Sequence, residues 1–414
     1  MLSIGSVHLL NFSWKRNLIV LWLGCFLVSM AYSVSIPFLS IFLQDQLGIK
    51  SHLETWTGFI FAITFLFSSL IAPFWGSLAD KYGRKPMMLR AGICLTLAYL
   101  AYFFVQTPFQ LTGVRIIEGL LAGYIPSAIS IVATNTPEKD VGYALGLIST
   151  SNATALIIGP LVGGFISQWV GTRNTFFLSA ILVFVAFFIA LLWVKEPNFR
   201  KKAEKRQSVA KDLKEALSNP RLMFILLIVF TTSLSIMIVE PLLTVYVLKL
   251  GSSKSSASMN SGIIFSIVGI ATLLGAPLWG KIGARIGYNK VLFYGLLGGG
   301  IGNILQIMFN NLIGFGVLRF VYGLFFAAVF PALNALIVQM TEPEFRGRAF
   351  SLNQTANQLG LLIGPILGGV LANLLSIPIV FLINGFLLLC IAVIFKLKSI
   401  PASIENKKAL HLSD

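Results

Sequence analysis

Long runs of apolar residues alternate with short polar segments along the whole chain. A helix crosses the hydrocarbon core of a bilayer with ~20 largely apolar residues, and twelve runs suit that task. They are Leu18–Leu43, Thr57–Leu78, Met87–Val105, Phe109–Ala133, Tyr143–Val170 and Thr175–Val194. After a polar stretch come Leu222–Leu248, Ser261–Gly280, Val291–Met308, Leu312–Met340, Phe350–Leu374 and Ile379–Phe395. The pattern predicts an all-α membrane protein with twelve transmembrane helices. Trp14-Lys15-Arg16 before the first run resembles a signal-peptide start. The run is too long for a cleaved segment and lacks a clean small-residue cleavage site, so it reads as a retained anchor.

Composition agrees. The 414 residues are 56% hydrophobic and 11% charged, against about a quarter charged in soluble proteins. The formal charge of +16 has to be located before it is interpreted. With both termini placed in the cytoplasm, 25 of the 31 Lys and Arg residues fall on that side. Only Lys50, Arg173, Lys249 and Lys254 fall outside, and Arg115 and Arg319 lie within runs. This is the positive-inside pattern, so the charge is a topology signal and not a nucleic-acid signal. The segment from Lys195 to Arg221 holds the basic run Arg200-Lys201-Lys202-Ala203-Glu204-Lys205-Arg206. It reads as a solvated linker, with a short surface helix around Val209, Leu213 and Leu217, or as a site for anionic headgroups.

Cys25, Cys94 and Cys390 lie within apolar runs as small hydrophobes, and His8, His52 and His411 lie outside them. No metal set, cofactor motif, P-loop or hydrolytic constellation is present. An enzyme or an ATP-driven pump is therefore not expected.

The two halves repeat. Pro37, Pro73, Trp75-Gly76, Gly83, Arg115 and Gly119 recur 204 residues later as Pro241, Pro277, Trp279-Gly280, Gly287, Arg319 and Gly323. Past one inserted residue the offset becomes 205, and Pro126, Gly142 and Asn152 match Pro331, Gly347 and Asn357. Gly159-Pro160-x-x-Gly163-Gly164 likewise matches Gly364-Pro365-x-x-Gly368-Gly369. Six spans per unit give both copies one orientation, related by an axis along the membrane normal. The expected division is an N-terminal bundle at 1–196, a linker at 197–220 and a C-terminal bundle at 221–414.

Three motifs carry a resemblance. Gly76-Ser77-Leu78-Ala79-Asp80-Lys81-Tyr82-Gly83-Arg84-Lys85-Pro86, between the second and third runs, resembles the signature loop of the major facilitator superfamily. Arg115-Ile116-Ile117-Glu118-Gly119 resembles its conserved-arginine motif, with Glu where Gln is common. Gly159-Pro160-Leu161-Val162-Gly163-Gly164 resembles the antiporter motif, with Ala155 at its first glycine position. Together they resemble the twelve-helix drug:proton antiporter family, and the stretch from Trp14 to Arg90 is similar to the MdtG-like multidrug efflux proteins. That resemblance implies a substrate cavity between the halves and alternating access by rocking. It also implies that Gly76, Asp80, Gly83, Arg84 and Lys85 latch the halves in the outward-open state. In the second half Ala284 and Tyr288 stand in register with Asp80 and Arg84, which makes the latch one-sided.

Charge inside a membrane is costly, ~2.5–3.5 kcal/mol or more at the centre, and marks function. Such charges within the runs are Arg115, Glu118, Glu240 and Arg319. Arg115 and Glu118 share a helical face. Either Glu118 neutralises Arg115, or the pair carries the coupled proton. Glu240 has no basic partner on its own run, so it is a second proton carrier, an attractor of cationic drugs, or a residue that snorkels to the interface. The Gly-Pro motifs, Gly159, Pro160, Gly163, Gly164, Gly364 and Pro365, serve as hinge and seal or as tight packing. Asn152 and Asn357, with Gln354 and Gln358, line the cavity or join helices. Tyr32, Tyr124, Tyr322, Phe325 and Phe326 are candidates to stack on a drug, with Glu240 and Arg319 beside them.

The expected function is proton-coupled export of amphipathic, often cationic, drugs. The alternative is export of one metabolite, such as a sugar, siderophore or lipid-like compound. The expected partners are drugs, protons and the bilayer, with no nucleic acid and no cofactor. The expected form is a monomer in a bacterial cell membrane.

Overall fold

The structure, a computed structural model, describes residues 4–49, 51–137, 140–197, 219–253, 256–341 and 345–398. The basic linker run, Lys50, Lys139, Lys254 and His411 lie outside the described residues. Twelve helices are long and apolar enough to span a membrane. They are α1 (Trp14–Gln46), α2 (Leu53–Tyr82), α3 (Arg84–Phe104), α4 (Pro108–Asn135), α5 (Val141–Val170) and α6 (Thr172–Trp193). The second set is α7 (Pro220–Lys249), α8 (Ala257–Ile286), α9 (Tyr288–Met308), α10 (Leu312–Met340), α11 (Arg348–Leu374) and α12 (Ile377–Lys398).

The helices extend beyond the apolar runs because polar ends need no lipid to stay helical. The signature segment between the second and third runs is therefore hardly a loop. A single residue, Gly83, joins α2 to α3, with φ of +102°. Gly287 joins α8 to α9 in the same way, with φ of +89°. Glycine reaches such backbone angles without a Cβ clash. This geometry moves Asp80 and Lys81 into α2, and Arg84 and Lys85 into α3.

The repeat is visible in the helix defects. Pro37 and Pro241 lie in short 3-10 turns, Ile36–Phe38 and Glu240–Leu242. Pro73, Pro160, Pro277 and Pro365 lie inside α2, α5, α8 and α11. Pro lacks the amide that would close the helical turn there. α4 breaks between Leu121 and Tyr124, and α10 between Phe326 and Val329. At both breaks a tryptophan ties a carbonyl: Trp75 Nε1 donates to Leu120 O and Trp279 Nε1 to Leu324 O, each at 2.7 Å.

Within the first half α1 packs on α5 and α6, α2 on α4, and α3 on α6. The second half repeats this, with α7 on α11 and α12, α8 on α10, and α9 on α12. Large apolar side chains such as Leu70, Phe104, Trp169 and Ile313 remain exposed, as lipid-facing positions require. In lipid, helices gain nothing from hiding apolar area, so association rests on close packing and hydrogen bonds.

The halves meet along α2–α11 and α5–α8. The two contacts are copies of one another. A Cβ at Gly58 of α2 would lie 2.1 Å from Pro365 O of α11, and one at Gly262 of α8 2.2 Å from Pro160 O of α5. In return a Cβ at Gly369 would lie 2.5 Å from Glu54 O, and one at Gly164 2.6 Å from Ser258 O. Gly58 and Gly262 are equivalent in the repeat, as are Gly164 and Gly369. α1 and α7 add a reciprocal pair at their proline turns, where Thr244 Oγ1 donates to Pro37 O (2.7 Å) and Ser40 Oγ to Pro241 O (3.4 Å). At the end of this interface Lys249 Nζ pairs with Glu54 Oε1 at 3.0 Å, and His52 Nδ1 meets Asn373 Oδ1 at 3.1 Å. These contacts close the face opposite to that of Gly83 and Gly287.

Backbone cannot yield to an added side chain as a rotamer can, and overpacking typically costs ~1–3 kcal/mol. Gly58→Leu is expected to force α2 and α11 apart at this face. Spin labels at Ser51 and Leu375 should then show a longer distance than in the unaltered protein. An unchanged distribution would mean that the glycine contacts do not hold the face shut.

Candidate functional site

A cavity of about 830 Å³ lies between the halves and runs to the face of Gly83. Its wall takes Ser29 and Tyr32 from α1, Thr64 to Asp80 from α2, Arg84 and Arg90 from α3, Glu118 and Tyr124 from α4, and Asn152 from α5. The second half contributes Gln354, Thr355, Gln358 and Leu359 of α11. Of the proposed cavity residues, Tyr32, Tyr124 and Asn152 stand on this wall. Glu240, Arg319, Tyr322, Phe326 and Asn357 do not. Tyr322 and Phe326 stack on each other inside the second bundle, with ring centroids 5.1 Å apart. Asn357 is tied to α7 through Ser233, whose hydroxyl donates to Asn357 Oδ1 at 2.6 Å.

Arg115 and Glu118 lie three residues apart on α4 and form a buried ion pair, Nη1 to Oε2, at 2.8 Å. The structure adds a third member, Tyr102 of α3. Its hydroxyl donates to the same carboxylate oxygen, and Arg115 Nη1 reaches that hydroxyl at 3.4 Å. Tyr102 is held flat against Phe176 of α6, 4.6 Å between centroids. Arg115 Nε donates to Ile60 O of α2 at 3.1 Å, and Thr64 Oγ1 donates to Arg115 O. The arginine thereby joins α2, α3 and α4, while its Nη2 keeps no partner among the described residues.

The second half carries the same frame with other groups. Arg319 Nη1 donates to Gln306 Oε1 at 3.4 Å, and its guanidinium lies 5.1 Å from the Tyr322 ring centroid. Gln306 stands in register with Tyr102, and Tyr322 with Glu118. A carboxylate is missing from this frame. Glu240 lies in the 3-10 turn of α7 and forms no ion pair with Arg319. The reading of Glu240 as lacking a basic partner holds on its own helix.

Arg90, inside the predicted run Met87–Val105 but counted with the cytoplasmic charges, is a further intramembrane cation. It sits within α3, 3.5 Å from the Trp75 ring centroid, and its Nη2 donates to Ala122 O at 3.2 Å. Trp75 and Arg90 together satisfy carbonyls freed by the break in α4.

The proposed latch residues gather at the open end of the cavity. Asp80 and Arg84 share its wall with Gly76, but Arg84 bonds elsewhere, donating to Thr134 Oγ1 at 2.7 Å. Lys85 Nζ donates to Leu191 O of α6 at 2.9 Å. Asp80 has no hydrogen bond or ion pair among the described residues. Glu196, just past α6, caps α3 instead by accepting from Arg84 N (3.1 Å) and Lys85 N (2.9 Å). A carboxylate at a helix N-terminus satisfies free amides and opposes the helix dipole. Of the Gly-Pro residues, Pro160, Gly164 and Pro365 sit at the inter-half contact described above, and Gly159, Gly163 and Gly364 pack on the inner helices. A Cβ at Gly159 would meet Ser33 Cβ at 2.3 Å, one at Gly163 Val34 O at 2.1 Å, and one at Gly364 Met237 Cβ at 2.7 Å.

Breaking a buried pair leaves an uncompensated charge and typically costs ~3–5 kcal/mol. Arg115→Met is expected to lower unfolding stability by about that much, and Arg319→Met by less, since no carboxylate touches it. Adding Glu118→Gln to Arg115→Met should recover part of the loss. Chemical unfolding in detergent measures all three, and additive losses for Arg115→Met and Glu118→Gln would show no coupling.

The family model of the Major Facilitator Superfamily matches residues 21–272 and 250–412. The Multidrug resistance protein MdtG of Proteus mirabilis is 39% identical over 369 residues, 87% of this chain and 90% of that protein. Its namesake from Escherichia coli strain 55989 is 36% identical over 92% of this chain and 94% of its own length. Among solved structures, a point mutant of the nucleoside transporter NupG superposes with a TM-score of 0.78 at 14% identity, covering 92% of this chain and 99% of that one. A bacterial homologue of the lysosomal transporter Spinster, inward-facing and unoccupied, superposes at 0.76 with 16% identity, covering 93% and 96%. At such identities the superpositions speak for the fold alone. Twelve spans in two repeated sets, the paired glycine contacts and the matched sequence place this chain in the major facilitator superfamily.

Proposed function

We propose that the chain is a multidrug exporter that couples efflux of amphipathic or cationic drugs to proton influx across a bacterial cytoplasmic membrane. The observation that carries this reading is its 36–39% identity, over about nine-tenths of the chain, to proteins named for multidrug resistance. The cavity suits the task. Aromatic and aliphatic groups form most of its wall, and scattered hydroxyl and amide groups replace the dense fixed donors that a sugar site needs.

The basic face of the molecule is taken as cytoplasmic, with both termini there. The cavity then opens to the cytoplasm and the glycine seams close the outer face. The bundles at 1–196 and 221–414, joined by 197–220, rock about the buried axis as a monomer. In this state Asp80 has no partner among the described residues and Arg84 holds Thr134. Rocking the other way brings Asp80, Arg84 and Lys85 against the second half as the latch, with Gly76 and Gly83 shaping the corner. The Gly159–Gly164 and Gly364–Pro365 stretches serve as hinge and outer seal.

Glu118 carries the coupled proton. Arg115 and Tyr102 stabilise its carboxylate when the proton has left, and a protonated Glu118 releases Arg115 for the rearrangement. Glu240, in the 3-10 turn of α7, is the second acidic group.

Inverted vesicles energised with a proton gradient test this. Ethidium is expected to provoke proton release from the unaltered protein. Glu118→Gln should abolish that release while ethidium still binds, and Glu240→Gln should reduce it. Full proton-linked transport in both variants would remove these carboxylates from the coupling mechanism.

A further inference from the structure

α5 and α8 meet in an antiparallel register that can be followed along both helices. A Cβ at Gly164 would lie 2.6 Å from Ser258 O, one at Gly262 2.2 Å from Pro160 O, and one at Gly269 2.5 Å from Ile157 Cγ1. Ser266 Oγ donates to Ile157 O at 2.6 Å. Each step back along α5 is a step on along α8, from the closed face toward the middle of the bilayer.

Beyond these contacts both helices run on unbroken, α5 to Val141 and α8 to Ile286. Eighteen residues lead from Gly262 to Gly280 on α8 and, in the opposite direction, from Gly164 to Gly146 and from Pro160 to Gly142 on α5. That step is five full turns at about 3.6 residues per turn and spans about 27 Å, close to the thickness of the hydrocarbon core. The three glycines therefore lie on the faces that form the seam, at the other side of the membrane. The same step carries the pair Pro160–Gly262 onto Gly142–Gly280, and Gly164–Ser258 onto Gly146–Ala276. A Cβ at Gly142, Gly146 or Gly280 would have nothing within 4 Å. Ser149 and Ala153 continue the stripe on α5, and both are exposed. Glycine is a poor helix former, and inside a helix it usually answers to close packing.

We propose that Gly142, Gly146 and Gly280 form a second seam between α5 and α8, made when the opposite face opens and the face of Gly83 closes. The proposal rests on the rocking motion of the exporter reading and names a contact of its other state. Two helices that cross at an angle approach closely over one stretch, so rocking transfers the contact along one face of each. Small residues at both ends let the backbones approach at either. The α2–α11 contact is laid out alike, since Gly76 follows Gly58 by the same eighteen residues. There Asp80 adds charge, whereas its counterpart on α8 is Ala284. On the α5–α8 side, glycine packing does the closing.

The test is disulfide formation in the full chain in nanodiscs, with Cys25→Ala, Cys94→Ala and Cys390→Ala as background. Ser149→Cys on α5 and Ala276→Cys on α8 flank the second seam. A disulfide needs Cα atoms roughly 4.4–6.8 Å apart, so oxidation by copper phenanthroline reports close approach of the two stripes. This pair is expected to oxidise, and Ser149→Cys with Ile282→Cys, on the far face of α8, is not. Gly280→Leu should slow oxidation of the first pair by about fivefold or more, the effect of overpacking a contact. Its thermal midpoint should match that of the unaltered protein, because nothing stands near that position in the structure. The proposal is overturned if the first pair does not oxidise, if the Ile282 pair oxidises as fast, or if Gly280→Leu leaves the rate unchanged or lowers the midpoint. Ethidium-driven proton release is read separately: oxidation that depends on Gly280 in a protein without such release would sink the exporter reading and leave the seam standing.

Discussion

The molecule depends on backbone-to-backbone approach at four glycines. Gly58, Gly164, Gly262 and Gly369 each sit against the main chain of the opposite half, where a methyl group would clash. Because lipid already solvates apolar side chains, two bundles in a membrane are held together by packing distance and not by water exclusion. Small residues at the seam are therefore the cohesive element. They confine contact to one face, and the cavity on the other face is the geometric consequence.

On that symmetric seam the chain builds asymmetric chemistry. Arg115 and Arg319 occupy equivalent sites, but one meets Glu118 and Tyr102 and the other meets Tyr322 and Gln306. Replacing a carboxylate by a phenol removes the ion pair and leaves the arginine bonded only to neutral groups. Asp80 and Arg84 likewise face the cavity in one half only. Duplication provides the scaffold, and single substitutions on it decide which half carries charge, cavity wall and exposed amide.

Twelve spans were legible because lipid imposes length and apolarity on every helix, and the repeat was legible because prolines, glycines and arginines keep register. Arg115 and Glu118 were legible as a pair from helical spacing. Tyr102 was not, since its reach to Glu118 depends on how α3 lies on α4, although its place thirteen residues before Arg115 mirrors that of Gln306 before Arg319. Arg90 lies within the third run, and counting it with the charges of the cytoplasmic corner hid its place in the membrane. For Glu240, helical spacing spoke only of its own run, where no basic partner stands.

By itself, the sequence determined the class, the number of spans, the twofold design and the positions where charge enters the membrane. These follow from local rules: hydrophobic length, charge placement, and the conformations open to Gly and Pro. Only the tertiary structure decided which helices meet, which face is shut, and whether equivalent residues keep equivalent bonds. Those outcomes depend on distances between helices: Ser233 bonds Asn357 in the second half, while Ser29, at the equivalent position in the first, has a hydroxyl without a partner among the described residues.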